Sequence, residues 1–429
     1  MACRNAKGDP MTVLVLSNHT AVMEQALMAA GHEVIVCLTT PNAALRAAQK
    51  PPYPIRSIAH WTDFSELADH GRDLRGRIDA VATLWEGAMV AAGFLRDLLD
   101  LPGQRTAEAV RFTDKAIMKS CLSAAGVPVA AHRVVRTAAE IPAAAAELGG
   151  FPVVVKPLTG FGSTNTHVIS DRADLDRMER EIFTRRLDAS AFFRAEPAFQ
   201  PLDDQGGFVV EQFVRIRNEY HCDAFWAGGD SIYQVPGRYN IPPLRGMGGT
   251  LGSVLLDANS PDGLEVADLA ERAARALGIR DGFTHAEIYL DTEGRWLLGE
   301  IAARPGGGGI QHALKHAYHV DVLEMLGRFG AGEPVEIEPR PEPGAWGWAG
   351  PYVPPGRVVH IASRDEVLRQ PGVVDASVVT KVGGEGGLTG SGQWGGLAGY
   401  AWLHGDTPQH VLSMMDHITE SYEIQVALA

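Results

Sequence analysis

The sequence predicts an α/β protein that opens on a doubly wound parallel sheet. Three observations predict it. Short apolar strands alternate with amphipathic helices from Met11 to about Arg105. Further on the texture turns β-rich, in runs such as GFVVEQFV, NEYHCDAFWAGG and DSIYQVPG. At 429 residues the chain is too long for one core and calls for two or three domains. Hydrophobic residues make up 45% and aromatics 7%, which excludes a largely disordered chain. No apolar run reaches the roughly 18 residues of a membrane helix, so no membrane partner is expected.

Met1 to Pro10 reads as a loose leader, because the apolar stretch Val13 to Leu16 is far shorter than a signal-peptide core. MTVLVLS is then a strand, AVMEQALMAA a helix, HEVIVCL a strand, SELADHGRDLRG a helix, IDAVATL a strand and EGAMVAAGFLRDLL a helix. The turn Leu84-Trp85-Glu86-Gly87 falls at the carboxyl edge of that sheet, where open α/β sheets bind ligands. The first strand leads into SNHT rather than GxGxxG, which disfavours a dinucleotide-binding domain. One helix is expected over Thr106 to about Val135, ended by Gly126 and Pro128. An alanine-rich helix, the strand FPVVVKP, the loop LTGFGSTNT and another strand follow, then a charged helix over Asp171 to about Asp188. The glycine-rich RGMGGTLGS leads to the helix LEVADLAERAARALG. The strands GFTHAEIYLD and RWLLGEIAAR form a hairpin through Thr292-Glu293-Gly294, and a helix runs on to Phe329. EPVEIEPRPEPG reads as a linker ending near Gly344, before a last β-rich portion and a closing helix.

The formal charge is −14, from 38 basic and 52 acidic residues. Such a surface repels phosphate backbones and argues against a nucleic-acid partner. Only seven of the basic residues are lysines: Lys7, Lys50, Lys115, Lys119, Lys156, Lys315 and Lys381. The four cysteines, Cys3, Cys37, Cys121 and Cys222, form no CxxC pair and suggest neither a disulfide framework nor a zinc site. Reduced thiols of a cytoplasmic protein are the expectation.

Three stretches can carry chemistry. In VVVKPLTGFGSTNT, a strand-borne Lys156 precedes Gly160, Gly162, Ser163 and Thr164, an arc of donors able to fold over phosphate oxygens. Read alone, it is equally an ordinary hairpin with a surface lysine. In THAEIYLD and LLGEIAARPGGGG, Glu287 and Glu300 sit mid-strand among apolar neighbours, where a carboxylate is expensive unless paired or bound to a cation. Two such groups on adjacent strands can hold Mg²⁺, while a pair with Arg304 is the competing reading. Arg304 and the four glycines after it suggest an anion held against backbone amides. In VVEQFVRIRNEY, Glu211 and Glu219 are candidates for an adenine edge and a ribose, against surface charges at a strand end.

The ordered set DKAIMKSCLSAAGVP, FPVVVKPLTGFGSTNT, VVEQFVRIRNEY and THAEIYLD…LLGEIAARPGGGG resembles the ATP-grasp superfamily, nearest its L-amino-acid (dipeptide) ligases and related carboxylate–amine ligases. The resemblance spans nearly the whole chain. It implies an N-terminal Rossmann-like domain over residues 11–105, an ATP-grasp domain over 106–343 with a lid lobe at about 130–212, and a small α+β domain over 344–429. It implies that Lys115 and Lys156 contact the nucleotide phosphates and that Gly162 and Ser163 belong to the loop over them. Glu211 with the backbone of Phe213 and Val214 would meet the adenine, and Glu219 the ribose. Glu287 and Glu300 would hold Mg²⁺, with Mn²⁺ as the alternative ion. Arg304, with Gly306 and Gly307, would bind the substrate carboxylate and stabilise the transition state, and Glu86 would face the substrate.

One departure stands out. Many members read EINxR where this chain has Glu300-Ile301-Ala302-Ala303-Arg304, and Ala302 cannot ligate a metal. The implied reaction joins a small-molecule carboxylate to an amine through an acylphosphate, releasing ADP and phosphate. A biotin-carboxylase-like enzyme acting on bicarbonate and an inactive ATP-binding module are the alternatives. The family's habit of dimerising makes a homodimer a further expectation. Substrate choice is expected from Arg238 to Ser253 and from Trp346, Trp348, Trp394 and Trp402, against a core-packing role for the tryptophans.

Overall fold

The computed structural model describes residues 9–18, 20–179, 183–184, 199–200, 202–387 and 396–427. The leader therefore lies outside the described residues except for Asp9 and Pro10, as do Trp394 and most of the charged helix beyond Met178. The chain divides into two compact units. One is formed by Met1–Thr113 with Asp321–Ile337; the other holds the described residues of Asp114–Ser190, Pro197–Val320 and Glu338–Ala429.

The first unit is the expected parallel sheet. Its strands are β1 (Thr12–Leu16), β2 (Glu33–Thr39), β3 (Ile55–Ile58) and β4 (Ala80–Thr83), in the order β3-β2-β1-β4 and all parallel. Val13 to Leu16 are wholly buried, as strands covered by helices on both faces must be. Glu86 opens a short 3₁₀ turn after β4 and is itself buried.

The second unit begins with a small four-stranded sheet. Its members are β5 (His132–Val135), β6 (Val153–Pro157), β7 (His167–Ile169) and β8 (Phe208–Gln212), in the order β5-β8-β6-β7. A large antiparallel sheet starts with β9 (Ile216–Ala227), β10 (Asp230–Tyr239), β11 (Thr250–Leu255), β12 (Gly282–Asp291) and β13 (Trp296–Ala302). The C-terminal portion adds β14 (Ala345–Pro351), β15 (Gly356–His360), β16 (Val373–Val378), β17 (Glu385–Gly386), β18 (Gly399–Gly405) and β19 (Gln425–Ala427). The large sheet runs β13-β12-β9-β10-β11-β14-β18-β16, while β15, β17 and β19 form a separate three-stranded sheet.

Several sequence expectations change here. The Pro- and Glu-rich linker does not set off a separate domain at Gly344. Beyond it, β14 pairs along β11 from Thr250↔Pro351 to Val254↔Gly347, so the last portion extends the central sheet. The glycine-rich RGMGGTLGS contains a strand, β11, whose Gly252 packs where a Cβ would come within 2.4 Å of the Trp348 carbonyl oxygen. The single helix expected from Thr106 is two, Thr106–Thr113 and Lys115–Ala124. Asp114 breaks the run because its carboxylate caps the second helix, accepting from the Ala116 and Ile117 amides. The helix expected through Phe329 is likewise two, Ile310–Tyr318 and Val322–Gly330, the second capped by Asp321.

Candidate active site

A cleft of about 450 Å³ opens in the second unit between the small sheet and the β9–β12–β13 face of the large one. Its volume suits a small-molecule ligand. Lys115, Lys156, the loop Gly160 to Thr164, Glu211 to Ile216, Glu219, Glu287, Glu300 and Arg304 all line it. Eleven of the sequence-derived candidates are thereby brought into one cavity: Lys115, Lys156, Gly162, Ser163, Glu211, Phe213, Val214, Glu219, Glu287, Glu300 and Arg304.

Strand periodicity builds its floor. On β9, Glu219, His221 and Asp223 recur at every second residue and so share a face; on β12, His285, Glu287 and Tyr289 do the same. The register sets them side by side as Tyr289↔Glu219, Glu287↔His221 and His285↔Asp223. Across the next ladder Glu287 stands opposite Glu300 and His285 opposite Ala302.

The lysines organise the other wall. Lys115 and Lys119 lie one turn apart on one helix face. Lys115 Nζ lies 3.0 Å from Glu300 Oε1 and donates to the Gly160 carbonyl, tying the loop to the floor. Lys156, on β6, is buried rather than a surface residue, with its Nζ 2.8 Å from Glu211 Oε1. Lys119 Nζ lies 3.2 Å from the same oxygen. The loop takes left-handed backbone at Gly162 and Ser163, with φ of 59° and 55°.

The carboxyls respond differently to this charge. Burial opposes ionisation of Glu211, but Lys119 and Lys156 overcome it and hold its carboxyl at about 2. Burial lowers the Lys119 ammonium in spite of Glu211, whereas Lys156 is raised because Glu211 and Glu300 outweigh burial. Burial also opposes ionisation of Glu300, which Lys115 and Lys156 bring below the usual range. Glu287 is pushed up by burial and by the facing Glu300, and Glu219 well up by burial and by Glu287. The Glu211 side chain is thus engaged with two ammonium groups.

At one end of the floor lies a network that the sequence reading missed. Asp223 accepts from His221 Nδ1 at 2.7 Å, from His285 Nδ1 at 3.1 Å and from the Gly306 amide at 2.9 Å. His221 Nε2 pairs with Ser253 Oγ at 2.9 Å, which also accepts from Trp348 Nε1. His285 and His221 hold the Asp223 carboxyl far below the usual range against its burial. Burial lowers His221, while in His285 the facing Asp223 overcomes burial and raises the imidazole. The available signal was the period-two series EYHCD and HAEIY on neighbouring strands. Lys119 was also missed, although it lies four residues after Lys115.

The network corrects the expectation for the glycines. The Gly306 amide is committed to Asp223, so it is not available to an oxyanion, and neither Gly306 nor Gly307 lines the cleft. Gly306 is there for close approach: a Cβ would lie 2.3 Å from Asp223 Oδ1. Among the tryptophans, Trp348 is fully buried and Trp402 nearly so, with its Nε1 donating to the Gly309 carbonyl. Both are core residues.

Residues 149–312 match the family model of the ATP-grasp domain. The L-arginine-specific L-amino acid ligase of Bacillus subtilis is 30% identical over 278 residues, which cover 62% of this chain and 64% of that ligase, so the match spans less than two thirds of its length. The crystal structure of the L-amino acid ligase from Bacillus licheniformis aligns with a TM-score of 0.73 at 18% identity, covering 98% of this chain and all of the other. The biotin carboxylase domain of the 2-oxoglutarate carboxylase from Hydrogenobacter thermophilus, solved as a dimer with MgADP, ADP and bicarbonate, aligns at 0.67 and 16%, covering 97% and 91%. Among the described residues no helix is long and apolar enough to cross a membrane. The chain contains an ATP-grasp domain, and its fold is that of the ATP-grasp ligases.

Proposed function

We propose that the chain is an ATP-dependent carboxylate–amine ligase that activates an amino acid or similar carboxylate as an acylphosphate and transfers the acyl group to an amine. The observation that supports it best is the single cleft in which Lys115, Lys156 and Arg304 meet the cross-strand carboxylates Glu287 and Glu300. A carboxylate has oxide as its leaving group, so it must be phosphorylated before an amine can displace anything. In the first step a substrate carboxylate oxygen attacks the terminal phosphorus of ATP and the bond to ADP breaks. In the second the amine attacks the acyl carbon, phosphate leaves, and the amine gives up a proton.

The residues divide that work. Lys115 and Lys156 hold phosphate oxygens and offset their charge. The Gly160 to Thr164 loop closes over them and excludes water, which would hydrolyse the acylphosphate. The peptide groups of Gln212 to Val214 meet the adenine edge, and Glu219 a ribose hydroxyl. Arg304 orients the substrate carboxylate and stabilises the charge that builds on it. Two facing carboxylates, one raised by its neighbour, fit a hard divalent cation, and Glu287 and Glu300 would hold Mg²⁺. When bound there it supplies neutralising charge to the phosphates. Ala302 offers no ligand where many ATP-grasp enzymes place an asparagine, so Glu300 would hold the ion without that help. A cytoplasmic location, where ATP is abundant, goes with this reading.

The test is ADP and phosphate release with ATP, Mg²⁺ and paired amino acids. Release that needs both amino acids, and that falls about a hundredfold or more in Arg304→Ala, supports the ligase. Release that follows bicarbonate alone would move the chain to the carboxylase reading. Tight ATP binding with no turnover on any mixture would make it a nucleotide-binding module.

A further inference from the structure

We propose that His312, His316 and Asp375 form a site for a divalent first-row transition-metal ion, Zn²⁺ above the others, separate from the paired carboxylates of the cleft. The sequence carries half of it as His312-Ala313-Leu314-Lys315-His316. Two histidines four residues apart on the Ile310–Tyr318 helix stand one above the other on one face, the spacing by which helices present two imidazoles to zinc. The fold brings β16 against that face. Asp375 Oδ2 lies 3.1 Å from His312 Nε2 and 3.8 Å from His316 Nε2, and each donor atom is within 4.8 Å of the others.

The surroundings orient all three groups. Asp375 Oδ1 accepts from Arg364 Nη2 at 2.7 Å and from the Ala376 amide at 2.7 Å, which turns Oδ2 toward the imidazoles. His312 packs on the Trp402 ring at 4.3 Å between centroids, and His316 stacks parallel to Trp346 at 5.9 Å. His316 Nε2 is buried with no hydrogen-bond partner, so a group that could coordinate is held ready without one. Bonds of about 2.0–2.2 Å to nitrogen and oxygen set tetrahedral ligands roughly 3.3–3.5 Å apart, and Asp375 Oδ2 already stands 3.1 Å and 3.8 Å from the two imidazole nitrogens. Two imidazoles and one carboxylate suit Zn²⁺, Ni²⁺ or Cu²⁺ and not Mg²⁺, which takes oxygen. Three protein ligands leave a fourth position open.

A second histidine–carboxylate set among the described residues, His221, Asp223 and His285, is closed by contrast. Both Asp223 oxygens and the second nitrogen of His221 are already hydrogen-bonded. At the proposed site the ion would clip the helix that follows Gly306 to Gly309 to the far edge of the large sheet.

The test uses the full chain, stripped with a chelator and titrated with Co²⁺ and then Zn²⁺. The expected result is one equivalent of Co²⁺ with the visible bands of four-coordination, displacement by Zn²⁺, and a rise in melting temperature that Mg²⁺ does not produce. His312→Gln, at a partly exposed position, should weaken binding by more than about tenfold and abolish the temperature rise while melting like the parent in chelator. Asp375→Asn serves as the second variant, and Glu287→Gln should leave the bands in place. Unchanged Co²⁺ binding in both His312→Gln and Asp375→Asn, or bands lost in Glu287→Gln alone, would overturn the site.

Discussion

Two neighbouring stretches of β9 and β12 carry buried charge on the same face and settle it in opposite ways. At the inner end, Asp223 is surrounded by donors from His221, His285 and Gly306, and every one of its charges is answered within the fold. Further along the same face, Glu219 lies four residues from Asp223 and Glu287 two residues from His285; Glu287 is pushed up by burial and by the Glu300 opposite it, and Glu219 by burial and by Glu287. The first arrangement is complete without a ligand. The second is held short of its charge balance and favours whatever cation arrives. The difference marks which carboxylates support the fold and which are kept for chemistry.

The comparison can be broken in several ways, beginning with the closed network. Asp223→Ala should destabilise the chain by about 3–5 kcal/mol, because it strands two imidazoles and an amide in the interior. Urea unfolding measures it, and a loss under 1 kcal/mol would show that the network does not hold the sheet. Glu287→Gln should do the reverse, leaving urea stability unchanged or slightly higher while ADP formation falls by more than about a hundredfold. Parallel loss of both would mean that Glu287 is structural like Asp223. Gly237→Ala probes the network from β10, where a Cβ would meet His221 Nε2 at 2.3 Å; a cost of about 1–3 kcal/mol is expected in the same urea measurement.

The smallest effect is the pH profile of Glu211. Its folded carboxyl sits near 2, below the ordinary value of 4.5, so its stabilising contribution is full above about pH 5 and is lost as pH falls toward 2. Unfolding between pH 6 and pH 4 samples only the upper part of that range, and Glu211→Gln should flatten the wild-type slope there. An identical slope in both proteins would detach Glu211 from acid stability.

Much of this was legible in the residues themselves. Lys156 reads as chemically placed because it sits in an apolar run ahead of a glycine arc, and Glu287 and Glu300 because a carboxylate in the middle of an apolar strand needs a reason. Lys119 and Asp223 were not legible as partners. Lys119 lies on an ordinary amphipathic helix, and its role depends on Glu211, more than ninety residues away. Asp223 reads as one polar residue of a half-buried strand until Gly306 and His285 arrive from elsewhere. The committed Gly306 amide could not be foreseen either, since a run of glycines describes available donors and not what they donate to.

The sequence by itself determined the alternation that makes the parallel sheet, the capped helix starts, the period-two faces of β9 and β12, and the scarce lysines. These are local properties, set by side-chain spacing and backbone preference within a few residues. Tertiary structure alone decided that β14 extends the central sheet, that Asp223 is held ionised by two imidazoles while Glu287 is pushed up beside Glu300, and that Asp375 meets two histidines of a distant helix. Each of those depends on strand register and on which element packs against which, and a charge acquires its meaning only from the groups within a few ångströms of it.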